Sequence, residues 1–135
     1  MNGQAVVEQA RTWLETPFRH QGRVKGIGVD CAGLVICVSK ELGLNPFDTT
    51  NYSRYPDSTR MGRLLSEQLN PVEIKDMQPG DVVWIKVKGS PQHLAIITDK
   101  GIIHAHEIVG KCVETVLDAA TKRLICGAFR IKGIN

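Results

Sequence analysis

The alternation of apolar and polar residues changes period once along this chain. In residues 4–15, Val6, Ala10 and Trp13 recur on one helical face with Val7 and Leu14 beside it, which predicts a helix ended by Thr16-Pro17. From Cys31 an apolar run extends through Leu42 and stops at Gly43. Its apolar residues fall on every side, which predicts a helix inside the core rather than on its surface. Asp30 stands where a cap belongs, leaving Cys31 in the first turn. Residues 44–58 lack periodicity, and 59–69 resume the helical spacing through Met61, Leu64, Leu65 and Leu69. The second half reads as short β-branched runs: Val82–Val87, His93–Thr98, Ile102–His106, Cys112–Val116 and Leu124–Ile131. Turn residues separate them at Pro79-Gly80-Asp81, Gly89-Ser90-Pro91, Asp99-Lys100-Gly101 and Gly110. Residues 117–122 predict one or two helical turns. Helices followed by strands predict an α+β domain over 1–135, with an antiparallel sheet packed on the Cys31 helix.

Composition changes this picture little. The chain has 135 residues, 42% hydrophobic and 23% charged, enough for one domain with its own core. A net charge of +3 suits an acidic partner and gives no case for nucleic acid, since no basic cluster is interleaved with aromatics. Neither a secretory leader nor a membrane span is legible, which leads us to expect synthesis in a cytosol and no membrane partner. Four irregularly spaced cysteines without a C-x-x-C pair favour reduced thiols.

The candidate chemistry lies at Cys31 and in three histidines within fourteen residues, His93, His104 and His106. At a helix start, free N–H groups and the dipole favour a thiolate, although most free cysteines are small buried hydrophobes. If the turn after Thr98 uses two residues, Asp99-Lys100 or Lys100-Gly101, all three histidines share one sheet face. Cys31 in front of that sheet then supplies a nucleophile, a base and an orienting group. With the turn at Asp99-Lys100, His106 stands opposite His93 and His104 opposite Ala95, from where a diagonal neighbour can lean to the far ring nitrogen. The competing readings are a metal site of His104, His106 and Cys112, whose spacing matches no zinc module, and histidines bonded to backbone in an ordinary sheet.

The order of motifs carries more. Thr16-Pro17-Phe18-Arg19-His20-Gln21-Gly22 precedes Asp30-Cys31-Ala32-Gly33-Leu34-Val35. Gln78-Pro79-Gly80-Asp81-Val82-Val83 then leads into Gln92-His93-Leu94-Ala95-Ile96-Ile97 and Gly101-Ile102-Ile103-His104-Ala105. This series resembles the NlpC/P60 family of cell-wall cysteine peptidases, which are papain-like in fold. The resemblance implies Cys31 as nucleophile, His93 as general base and His104 as the orienting third residue, without a metal or other cofactor. It implies a peptidoglycan stem peptide as substrate, cut after γ-D-glutamate, with Asp30 contacting the free amine of its L-Ala and Phe18 and His20 at substrate-facing positions. Phe18 stands where the family has tyrosine, His20 where it has tryptophan, and Ala32 where it has serine. The Arg-His-Gln-Gly-Arg loop and Ala128-Phe129-Arg130 resemble the compact phage-tail type, which implies a virion-tail setting and other tail proteins as partners. Two rivals stand beside this reading: a catalytically silent tail or assembly protein of the same fold, and an amidase or acyl-transfer enzyme acting on another amide.

Overall fold

A computed structural model describes residues 1–55 and 57–135. Asn2 opens helix α1 (Gly3–Arg11), its side chain accepting from the Ala5 N–H, and Val6, Val7 and Ala10 go into the core. The helix stops earlier than its apolar spacing predicts. Residues beyond it are taken by other partners: the Trp13 indole donates to Glu41 at 2.6 Å, and Glu15 has a positive φ of 74°. The Glu15 N–H then donates to the Cys112 carbonyl (2.9 Å), and the Cys112 N–H to Thr16 (2.8 Å), so tertiary pairing overrides helical periodicity here.

The basic loop folds into a small antiparallel ribbon, β1 (Arg23–Val24) with β2 (Gly28–Val29), and delivers the chain to α2 (Cys31–Glu41). Asp30 caps α2 as the sequence predicts, accepting from the Gly33 N–H at 2.8 Å. Gly33 is required by close approach: a Cβ there would lie 2.4 Å from the Gly22 carbonyl oxygen and 2.7 Å from Arg23. Residues 44–55 are irregular, as expected, while Pro56 of that stretch lies outside the described residues. Helix α3 (Ser58–Gln68) follows, then β3 (Leu69–Val72), β4 (Val82–Val87), β5 (Ser90–Ile97), β6 (Ile102–His106), β7 (Lys111–Thr115), the short α4 (Ala119–Arg123) and β8 (Ile125–Ile131).

These strands form a six-stranded antiparallel sheet in the order β3-β8-β4-β5-β6-β7. Strand β3 contains Pro71 and, among the described residues, pairs only with β8, at a sheet edge where a missing N–H is tolerated. The α+β architecture is as the sequence predicts. One apolar layer joins α1 and α2 to the sheet through Leu34, Val38, Leu94, Ile96, Ile103 and Ala105; a second, on the opposite face, gathers Val83, Ile85, Ala95, Ile97 and Ile102. Asp81, 1% exposed, holds β4 to β8 through a two-bond ion pair with Arg130 at 2.8 and 3.0 Å. Among the described residues no helix is long and apolar enough to cross a membrane.

The turn between β5 and β6 uses Asp99-Lys100: Thr98 and Gly101 close it, and Ile97 pairs with Ile102, Ile96 with Ile103. Pairing ends there. Beyond Ile96 and Ile103 the two strands part, and His93 and His106 are not ladder partners.

Candidate active site

Three segments converge on Asp30, which is 4% exposed. Besides the Gly33 N–H, its carboxylate accepts from Arg23 Nη1 (3.0 Å), the Gln21 N–H (2.7 Å) and the Tyr52 hydroxyl (2.5 Å). Arg23 Nη2 in turn donates to the Tyr52 oxygen at 2.9 Å. The buried charge is thus paired and fully hydrogen-bonded. Burial and the bond to Asp30 push the Tyr52 phenol well above its ordinary range. Tyr52 escapes the sequence pattern because it lies in a stretch without period. Arg23 escapes it because a basic loop reads as solvated.

Cys31 is the first residue of α2 and half-buried. The backbone N–H groups of Leu94, Ala32 and Cys31 itself favour its charged form, as expected for a helix start, but they do not win. Burial first, and the Asp30 charge second, push the thiol up to about 11. Cys31 therefore rests as a thiol at neutral pH.

The three histidine rings form one file, as the shared face predicts. His93 Nε2 lies 2.8 Å from His104 Nδ1, and His104 Nε2 lies 3.0 Å from Thr115 Oγ1. The His106 ring stands 5.0 Å from that of His104, and its Nδ1 accepts from the Val109 N–H at 3.2 Å. Burial, then repulsion from its two neighbours, pushes His93 down to about 3; burial and His106 push His104 down to about 4. Both rings are neutral at pH 7. The His104–His106–Cys112 grouping is not assembled. Cys112 packs in the layer under α1 and α2, and both His104 nitrogens already have partners.

The sheet meets Cys31 differently from the simplest expectation. Helix α2 covers the face of Leu94 and Ile103, whereas strand alternation turns His104 away from its neighbours Ile103 and Ala105 on that face. Cys31 reaches the sheet at the Leu94 backbone, beside the gap where β5 and β6 part. Cys31 and His93 line one cavity of about 400 Å³, together with Phe18, His20, Asp30 and Tyr52. His20 stands edge-on to Tyr52 at 5.5 Å, and Arg54 lies over the Phe18 ring and pairs with Glu107 at 2.8 Å.

A cysteine heading a buried helix, set against an antiparallel sheet that carries a histidine pair, defines the papain-like α+β class. Within that class the chain belongs to the NlpC/P60 family, whose sequence model matches residues 15–126. No curated protein matches it. Among solved structures, the NlpC/p60 domain of the peptidoglycan hydrolase SagA is similar at a TM-score of 0.66 and 19% identity, covering 97% of this chain and 100% of that one. An NlpC/P60 family protein from Bacillus cereus is similar at 0.72 and 22%, but the match spans only 40% of its length against 97% of this chain. The peptidoglycan hydrolase RipB from Mycobacterium tuberculosis is similar at 0.65 and 20%, over 96% of this chain and 64% of that one.

Proposed function

We propose that this protein is a cysteine peptidase that hydrolyses an amide bond in peptidoglycan stem peptides. The observation that carries the reading is the cavity lined by both Cys31 and His93, with His93 held by His104 at 2.8 Å. His93 Nε2 is committed to His104, which leaves Nδ1 to take the thiol proton. A charge created alone in this site would be costly, as the shifts of Cys31 and His93 show. Proton transfer instead makes a thiolate and an imidazolium that line one cavity, and their attraction offsets part of the burial of each. The sulfur attacks the scissile carbonyl and the oxyanion forms beside the Cys31 N–H, a donor of the kind worth about 10²–10³ in rate. His93 returns the proton to the leaving amine, giving a thioester. Water, deprotonated by His93, then releases the acid and restores the thiol.

The family and the likeness to two peptidoglycan hydrolases support the substrate class. The bond after γ-D-glutamate, and a virion-tail setting with tail proteins as partners, belong to the same proposal and rest on the motif resemblance alone. The test is mass spectrometry of products from defined muropeptides, with wild type and Cys31→Ala. Cleavage between γ-D-glutamate and the diamino acid, lost in the variant, is the expected result. Cleavage at the sugar–peptide amide would make the protein an amidase, and undiminished cleavage by the variant would remove Cys31 from the chemistry.

A further inference from the structure

The hydrogen bond between His93 and His104 is compatible with two proton arrangements, and only one can work. Each ring is neutral at pH 7 and so carries a single N–H. In the first arrangement His93 is protonated on Nε2, donates to His104 Nδ1, and keeps a lone pair on Nδ1 for the thiol proton. His104 must then carry its own proton on Nε2. In the second, His104 Nδ1–H donates to His93 Nε2, which places the His93 proton on Nδ1 and disables it as a base. The first arrangement therefore needs an acceptor at His104 Nε2, because an unpaired N–H on a ring that is only 7% exposed is costly.

Thr115 Oγ1, 3.0 Å away, is that acceptor. Its residue is exposed, so the hydroxyl hydrogen can turn to water while the oxygen accepts. His106 does not fill the position, since His104 Nε2 is directed to Thr115 and His106 Nδ1 takes the Val109 N–H. The fold also fixes where Thr115 stands. It ends β7 opposite Ile102, and the preceding Gly101 has φ +149° with its missing Cβ only 2.0 Å from the Thr115 carbonyl oxygen. Any side chain at Gly101 would push the end of β7 away.

We infer that Thr115 is a positioning residue that selects the base-competent tautomer of the His93–His104 pair. This rests on the reading of Cys31 and His93 as nucleophile and base, and it adds a fourth member acting only through His104. Without the hydroxyl, the competent arrangement leaves the buried His104 Nε2–H unpaired, whereas the disabled one puts no proton on that nitrogen.

The experiment is long-range proton–nitrogen NMR of the histidine rings in uniformly ¹⁵N-labelled wild type, Thr115→Val and Thr115→Ser. Alkylation of Cys31 by iodoacetamide and kcat and KM on a synthetic stem peptide are measured alongside. In wild type, His104 should be protonated on Nε2 and His93 also on Nε2. Thr115→Val should move the pair toward the opposite tautomers and lower both the alkylation rate and kcat about tenfold at unchanged KM, the scale of one unmade buried hydrogen bond. Thr115→Ser should restore all three. A wild-type His104 protonated on Nδ1, or a valine variant with unchanged tautomers and rates, overturns the inference. Failure of the peptidase reading shows separately, as turnover that survives Cys31→Ala, while the nitrogen spectra still decide the role of Thr115.

Discussion

Acid should loosen this fold through its buried histidines. His104 is 7% exposed and its pKa is pushed down to about 4 by burial and by His106. In the unfolded chain the same ring titrates near its ordinary 6.5. Between these values the unfolded state binds more protons than the folded one, so stability is complete above about pH 6.5 and falls as pH drops toward 4. At about 1.4 kcal/mol per pH unit, moving from pH 6.5 to 5 removes about 2 kcal/mol through His104 alone. That is a large share of the roughly 5–15 kcal/mol that holds a domain together. His93, also pushed down by burial, adds in the same direction. Urea unfolding at pH 7, 6 and 5 measures the slope in wild type and in His104→Asn, which keeps a polar group but cannot titrate. The variant should lose about 2 kcal/mol less than wild type over that interval. Equal slopes would show that His104 is not held neutral by burial. On the proposed mechanism the catalytic counterpart is an acid limb of kcat/KM well below 6.5, because burial keeps His93 unprotonated.

Three further outcomes are expected. Limiting iodoacetamide should modify Cys31 before Cys37 or Cys112, which are buried, and before the equally half-exposed Cys126, because proton transfer to His93 offsets the raised Cys31 thiol on the proposed mechanism, and peptide mapping reads the order. His104→Ala should reduce kcat far more than His106→Ala, because only His104 is bonded to His93, and wild-type turnover should be unaffected by a chelator. Equal losses with chelator sensitivity would favour a metal site. Arg130→Ala should cost about 3–5 kcal/mol in thermal or urea unfolding by leaving the buried Asp81 carboxylate without its partner. A cost below about 1 kcal/mol, the range of surface pairs, would show that Asp81 is solvated.

Much of the site was legible where local chemistry decides the outcome. The Asp30 cap, the buried helix behind it and a two-residue turn after Thr98 follow from short-range pattern, whereas the preference for His104 beside His93 leaned on the family resemblance. What the pattern could not supply depends on distant partners. Helix α1 ends early because residues 15 and 16 bond to Cys112. Strand β3 hides behind Pro71, which is tolerable because no described strand pairs on its outer side. Periodicity placed the histidines on one face but could not show that α2 covers the other. Residues reach across only where two strands stop pairing, and no run of apolar letters marks that point. The expected thiolate at Cys31 was likewise right about the N–H groups and lacked the burial and the Asp30 charge that outweigh them.

The Asp30 carboxylate has a consequence for how this region opens. The amides of Gln21 and Gly33, the Arg23 guanidinium and the Tyr52 hydroxyl all end on one side chain. None of the three segments can leave without stranding charge or donors belonging to the other two. The start of α2, the ribbon before it and the loop that carries Tyr52 are therefore coupled into one cooperative unit, although they share no continuous sheet or helix. Fraying at the cavity wall cannot proceed one segment at a time. Either the wall around Cys31 is whole, or the helix that presents the sulfur has lost its first turn as well.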